Sequence, residues 1–267
     1  NSYKSVTLLL SYGAGNDKAF GAIAKAEELP LHFCCLCGNA LMLNEILKWK
    51  HIYVNRKDCK GNTALHCAVG RDDHACVLAL LNHGARVLFN KIGFTPLHLA
   101  SKANSIQCFK VLLNRSPTSI DRKNSRNETP LFLACKYNCP AAASMLINEG
   151  ANVNISNIEM KTPLYAAAEC GWIEVVELLL VRGALKPISR KSNKNTWQKP
   201  TKFVVDIRRS PLHIAVKNGH FEIAKWIYSK GNINIHQNSD IVFILTCKYG
   251  RLDISKWLFN KNEIIPL

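Results

Sequence analysis

The chain is poor in acidic side chains. Its 267 residues include 19 Asp plus Glu against 35 Lys plus Arg, a net charge of +16 at pH 7. Aromatic residues make up 8%, and no apolar run approaches the roughly 18 residues of a membrane-spanning helix. No signal peptide is visible at the start of the sequence. We therefore expect a soluble, folded, intracellular protein, cytoplasmic or nuclear, that favours negatively charged partners.

The sequence also lacks the common catalytic and nucleotide-binding motifs. It contains no GxxxxGK, GxSxG or HExxH pattern, and Gly13-Ala14-Gly15 lies where a helix is expected to end. Glu27 and Glu28 are adjacent, so they do not share a helix face, and Asp72-Asp73 is typical of a solvated turn. We predict no enzymatic activity, no cofactor and no catalytic residue in this chain.

Cysteine, by contrast, is abundant, but its distribution does not indicate a disulfide framework. The 11 cysteines are odd in number and have no paired spacing. Most occupy helical positions that hold small apolar residues in other parts of the chain. Cys34 and Cys37 could share a helix face, yet no second pair follows at zinc spacing, so we favour reduced thiols and no metal. We expect Cys139, beside Pro140, to be the most exposed thiol.

One short word recurs through the chain at a nearly constant interval. It begins at 63, 95, 129, 162 and 210, with spacings of 32, 34, 33 and 48 residues, the last being one period plus about 15 inserted residues. Weaker copies begin at Leu29 and Ile241. The five clear copies are Thr63-Ala64-Leu65-His66, Thr95-Pro96-Leu97-His98, Thr129-Pro130-Leu131-Phe132, Thr162-Pro163-Leu164-Tyr165 and Ser210-Pro211-Leu212-His213.

Each word is predicted to begin a helix, and a second amphipathic helix follows it, ending in Gly at 84, 150 and 183. Thr or Ser suits the N-cap and Pro the first helical position. The word and its period resemble the ankyrin repeat. The resemblance implies an all-α solenoid of stacked helix-turn-helix units with short β-hairpin fingers, forming one domain over 1–267. The predicted repeats are 1–15 (partial), 16–58, 59–91, 92–124, 125–157, 158–185, 209–235 and 236–267, with a basic insertion at 186–208.

The resemblance also implies roles for particular positions. In that family the His of the word ties adjacent repeats by hydrogen bonds, so we expect His66, His98 and His213 to be structural. Phe132 and Tyr165 replace it in two repeats, where apolar packing must substitute. Partners of such arrays dock on the finger tips and on the face formed by the first helices.

The expected first-helix face carries several cations and aromatics. At the eighth and ninth positions of the word we identify candidate contacts, although exposed lysines that only confer solubility and packed tyrosines are an equally good interpretation. These candidates are Arg71, Lys102, Lys136, Tyr137, Lys217, Lys248 and Tyr249.

The finger tips provide further candidates. Phe94 and Met160 are predicted to be exposed apolar residues, which are typical of contact sites, unless the fingers bury them against a neighbour. The tips at 126–128 and 158–161 lack the Gly of the first two, and we expect wider turns there.

Basic charge is concentrated in the C-terminal third. Residues 181–267 hold 16 basic and 5 acidic side chains, a net of +11. The inserted segment is expected to be a long loop: either a tolerated surface insertion or a binding element. Its candidate contacts are Lys191, Lys194, Trp197 and Lys199.

These patterns predict a protein-binding scaffold for an acidic or phosphorylated partner, fused to other domains in its parent chain. Two alternatives stay open. One is sequence-nonspecific binding of a polyanion, either nucleic acid or an anionic membrane, and the other is a structural spacer in a larger channel, effector or enzyme.

Overall fold

The computed structural model describes residues 30–48, 52–115, 120–184, 210–230 and 239–260. Paired helices follow one another through these ranges. The first helices of the pairs are α1 (Pro30–Cys37), α3 (Ala64–Gly70), α5 (Pro96–Ala103), α7 (Pro130–Lys136), α9 (Pro163–Cys170), α11 (Pro211–Asn218) and α13 (Ser239–Lys248). The second helices are α2 (Ala40–Leu47), α4 (His74–Asn82), α6 (Ile106–Arg115), α8 (Pro140–Asn148), α10 (Ile173–Val181), α12 (Phe221–Lys230) and α14 (Leu252–Asn260).

Backbone contacts divide the chain into two compact units, Asn1–Pro130 and Leu131–Leu267. In the first unit α1, α3 and α5 pack in succession, as do α2, α4 and α6. In the second unit the same succession links α9, α11 and α13, and also α8, α10 and α12. This serial packing of helix pairs confirms the predicted ankyrin-repeat fold.

The repeated word builds the first helices as its chemistry predicts. At α5, the Thr95 Oγ1 accepts a hydrogen bond from the His98 backbone N–H (3.4 Å), while His98 Nδ1 accepts one from the Thr95 N–H (3.1 Å). Two N–H groups that the helix leaves without partners are thereby satisfied. Thr63 N–H donates to His66 Nδ1 at the same distance, 3.1 Å.

The same histidines connect each repeat to the next. Since Nδ1 accepts from the cap, the other ring nitrogen carries the proton and donates forward to a carbonyl. His66 Nε2 reaches the Phe94 carbonyl at 3.0 Å, and His98 Nε2 reaches that of Glu128 at 3.1 Å. The predicted structural role of His66 and His98 is therefore confirmed, and the buried ring of His213 packs edge-on against Tyr249.

Each finger is a five-residue turn governed by its first residue. We number them finger 1 (58–62), finger 2 (90–94), finger 3 (124–128) and finger 4 (157–161). In finger 3 the Asn124 Oδ1 accepts from the N–H groups of Arg126 and Glu128, and Asn124 N–H donates to the Glu128 carbonyl at 3.0 Å. Within the described ranges the fingers contain no β-strand; they are turns closed by these bonds.

All four fingers have this hydrogen-bonding pattern, so the expectation of wider turns at fingers 3 and 4 is wrong. The fourth residue of every finger adopts a positive φ: Gly61 (78°), Gly93 (77°), Asn127 (56°) and Met160 (60°). Glycine adopts this conformation without strain, and Asn tolerates it. Met160 adopts it at a steric cost, because the Asn157 side chain imposes the same turn.

Packing of the helix pairs buries small and branched side chains and six of the thiols. Burial raises the pKa of Cys34 and of Cys108 to about 12. Cys139 is 3% exposed, with Sγ 3.5 Å from the Tyr137 carbonyl, so its expected exposure is wrong. The exposed thiols are Cys37, Cys59 and Cys247. No group of three potential metal ligands occurs among the described residues.

Candidate functional site

Most of the cations predicted on the first-helix face are exposed. Lys102, Lys217, Lys248 and Arg71 are exposed, whereas Lys136 is half-buried. They occupy the C-terminal ends of the first helices or the residue just after them, where a cation also complements the helix dipole. Because α11 packs directly against α13, the lysines of those two helices hold equivalent positions on neighbouring elements.

Two of the lysines lie beside a tyrosine. Lys136 Nζ lies 5.9 Å from the centre of the Tyr137 ring, and Lys248 Nζ lies 5.8 Å from that of Tyr249. Such contacts contribute about 0.5–1 kcal/mol at exposed sites. Tyr137 is 43% exposed, so its ring remains accessible, whereas Tyr249 is half-buried against His213.

The acidic side chain in this register, Glu169, is ion-paired within the protein. Lys161 Nζ lies 3.1 Å from Glu169 Oε1 and 3.2 Å from Glu159 Oε2. Partial burial lowers the pKa of Lys161, but hydrogen bonds to the two carboxylates outweigh it and raise the pKa overall. Glu169 is therefore held by Lys161, which it shares with Glu159.

Side chains in the turns between paired helices fix the ends of the first helices. Trp172 Nε1 donates to the Lys136 carbonyl (3.2 Å), and Arg251 Nη2 donates to the Lys217 carbonyl (2.9 Å). Carbonyls at a helix C-terminus lack partners in their own helix, so in these two cases a repeat caps its predecessor. The recurring word did not reveal these ties, since their donors are chemically unlike and lie outside it.

Of the two apolar finger residues predicted to be exposed, one is exposed and the other is not. Met160 is 60% exposed, as expected. Phe94 is half-buried, with its ring stacked 5.7 Å from that of His98, so its expected exposure is wrong. On that finger Ile92 is the exposed apolar residue, at 61%.

The candidates of the inserted segment lie outside the described residues: Lys191, Lys194, Trp197 and Lys199. In the described ranges no helix has both the length and the apolar character needed to cross a bilayer.

Comparison with known proteins identifies the repeat. A family model for ankyrin repeats (3 copies) matches residues 1–91, 31–124, 116–190 and 153–239. The transient receptor potential cation channel subfamily A member 1 of Homo sapiens is 28% identical over 226 residues, and inversin of Mus musculus is 30% identical over 209. These matches cover 83% and 77% of this chain but only 20% and 19% of those proteins. The probable 26S proteasome regulatory subunit p28 of Saccharomyces cerevisiae is 28% identical over 210 residues, covering 76% of this chain and 86% of that protein.

Proposed function

Because the chain belongs to the ankyrin-repeat family, whose repeats are protein–protein interaction modules, we propose that it is a non-catalytic scaffold that binds an acidic or phosphorylated partner protein. The observation that supports this most directly is the accessible set of cations and tyrosine on the ends of the first helices. Lys217 and Lys248 are exposed, and no ion pair engages either of them among the described residues. An acidic partner would supply the missing counter-charges.

The geometry supports a set of proposed contact residues. Tyr137 provides the rigid aromatic area that binding sites favour, while Lys136 lies beside its ring. Met160 and the neighbouring Ile158 add exposed apolar area on finger 4, at 60% and 57%. We propose that these side chains, with the cations above, form the docking face. The inserted segment 191–199 is proposed as an additional binding element, and the scaffold is proposed to act inside the cell, within a longer parent protein.

The test is affinity capture at low and high salt from nuclease-treated lysate. The intact chain is compared with a face variant (K136E/K217E/K248E), a variant lacking 191–199, and a control altered on second helices (K110E/K225E/K256E), which has the same net charge as the face variant. The proposal expects a discrete protein that the control retains at high salt and the face variant loses. Loss of the captured protein from both charge variants would contradict the proposal, and so would its retention by both.

Binding of a polyanion is the competing function, supported by the net charge of +16. It predicts that the captured material is nucleic acid or anionic lipid, and that it is released as salt rises, because phosphate contacts are screened and exchange with counterions. Recovery of such material alone would make it the leading function.

A further inference from the structure

The fingers of the first unit carry an excess of positive charge that the first-helix face does not explain. The three finger segments, 52–62, 85–94 and 120–128, contain eight basic and three acidic side chains, a net of +5. The corresponding segment of finger 4, 151–161, contains one of each and is neutral. The charge is therefore a property of fingers 1–3 and not of the finger as a structural element.

Two of the acidic side chains are used inside their own fingers. Asp58 Oδ1 accepts from the N–H groups of Lys60 and Asn62 at 2.9 and 2.7 Å. Glu128 is 3% exposed, and its Oε2 accepts from Asn124 Nδ2 at 2.8 Å. The third, Asp121, is half-buried. None of these carboxylates is therefore displayed at the tips.

Some of the basic side chains have structural roles. Lys57 Nζ donates to the Phe89 carbonyl at 2.7 Å. Arg122 donates to the Val87 carbonyl at 3.0 Å and lies 5.5 Å from the centre of the Phe89 ring. These two cations connect neighbouring finger segments, so we assign them a structural role.

Four other cations lie in the five-residue turns or directly beside them, are exposed, and make no hydrogen bond or ion pair through their side chains with described residues. We call them the basic ridge: Lys60, Lys91, Lys123 and Arg126.

The ridge rests on closely packed backbone. Lys91 N–H donates to the Lys60 carbonyl at 3.1 Å, which joins fingers 1 and 2. A Cβ on Gly93 would lie 2.5 Å from the Ser125 nitrogen, so fingers 2 and 3 are equally close. The four cations of the basic ridge repel one another, and no side-chain bond with a described residue compensates for this repulsion. This cost is explained if a ligand of opposite charge occupies the ridge.

We infer that the basic ridge binds an extended acidic segment of a partner protein, with an apolar side chain seated on Ile92. Ile92 is 61% exposed and lies next to Lys91, which suits a peptide more than a sugar-phosphate chain. Two of the aromatic rings in these segments that could stack on bases are engaged within the protein, Phe94 on His98 and Phe89 beneath Arg122, while Tyr53, 71% exposed, lies five residues before finger 1. This inference rests on the proposed scaffold function and adds a second contact region to it.

The experiment measures fluorescence anisotropy of a labelled synthetic peptide of Glu and Asp with one central Leu. The ridge variant is K60Q/K91Q/K123Q/R126Q. The control, K110Q/K225Q/K230Q/K256Q, removes four exposed cations from second helices, so both variants carry the same net charge. Ridge substitution is expected to weaken binding about tenfold, and the control less than about threefold. Replacing the Leu of the peptide by Ser, or making the I92S variant, is expected to weaken binding further.

Equal weakening in both variants would overturn the inference, as would absence of binding to the intact chain. Tighter, ridge-dependent binding of a labelled single-stranded oligonucleotide or of phosphatidylserine vesicles would also overturn it, in favour of that polyanion. The eight substituted side chains are exposed, and circular dichroism confirms the fold of both variants. If the captured protein is lost from the K136E/K217E/K248E variant but retained by the ridge variant, this inference is wrong and the proposed scaffold function is not affected.

Discussion

Acid should destabilise the protein through His98, well before its carboxylates are protonated. The His98 side chain is fully buried, accepts at Nδ1 from the Thr95 N–H and donates at Nε2 to the Glu128 carbonyl. Burial lowers its pKa from 6.5 to about 4, although the bonds to the Glu128 and Arg122 backbones oppose that change. The folded protein therefore holds this imidazole neutral, while the unfolded chain protonates it near its ordinary pKa.

The sign and size of the effect follow by linkage. Between pH 6.5 and 4 the unfolded state binds more protons, so the free energy of unfolding falls as the pH falls. Full protonation corresponds to about 3.4 kcal/mol, from about 1.36 kcal/mol for each pH unit that separates the two pKa values. About 2 kcal/mol of this is lost by pH 5. The pKa of His66 is lowered by burial too, which adds to the loss in the same direction.

The assay is urea unfolding from pH 7.5 to 4.5 for the intact chain, H98Q and H74Q. His74 is exposed, so H74Q should keep the full dependence on pH. H98Q should be less stable at pH 7.5, because it loses the tie to finger 3, but its stability should fall less steeply with pH. Parallel pH profiles for all three proteins would refute the role assigned to His98. If H98Q fails to fold, NMR titration of the His98 ring in the intact chain tests the same point. A pH midpoint near 6.5 would contradict burial of His98 in its neutral form.

Other predictions concern the fingers, the ridge and the thiols. Met160→Gly should stabilise the protein by about 1 kcal/mol in urea unfolding, by removing the strain at φ 60°, whereas Asn127→Gly should change it by only a few tenths. Gly93→Ala should lower the free energy of unfolding by more than about 2 kcal/mol, because the added Cβ meets Ser125. Gly84→Ala, at φ 85° but in open space, should lower it by about 1 kcal/mol. Equal losses in the two variants would rule out the close approach of the fingers. K60Q/K91Q/K123Q/R126Q should raise the melting temperature in low salt and lose that advantage at high salt; an unchanged melting temperature would contradict mutual repulsion of the ridge. Titration of native protein with a thiol reagent should modify three cysteines quickly and protect six until urea is added. The three are Cys37, Cys59 and Cys247.

The repeats could be predicted from the sequence because a few residues of the word determine both the helix N-cap and the hydrogen bond to the next repeat. Thr95 and His98 are recognisable by type and spacing, and their bonds follow from that pattern. The sequence did not indicate the shape of fingers 3 and 4, because they lack the Gly that is typical of such turns. Asn124 and Asn157 at the first position determine the turn, through two backbone N–H groups each, and Asn or Asp there was the usable signal.

Exposure of individual side chains was harder to predict than the register. Cys139 follows a turn and precedes Pro140, a pattern typical of the surface, yet it occupies the N-cap of α8 with its side chain directed inward. Phe94 is drawn onto His98 by ring stacking, which the sequence does not specify. The sequence did not predict the basic ridge, because its excess charge depends on which carboxylates are hydrogen-bonded or buried within the fingers. Only the structure shows which acids these are.

The uneven distribution of the Thr-His ties has a consequence for how the array opens. Complete ties occur at α3 and α5, whereas Phe132 and Tyr165 replace the His in α7 and α9. In repeat arrays, stability is close to a sum of local and nearest-neighbour contributions. Amides of residues 63–115 and 120–129 should therefore exchange with deuterium most slowly, and fraying should stop there. Fingers 2 and 3 and most of the basic ridge belong to that persistent segment, so an acidic peptide held there would stay bound while the ends of the array open and close.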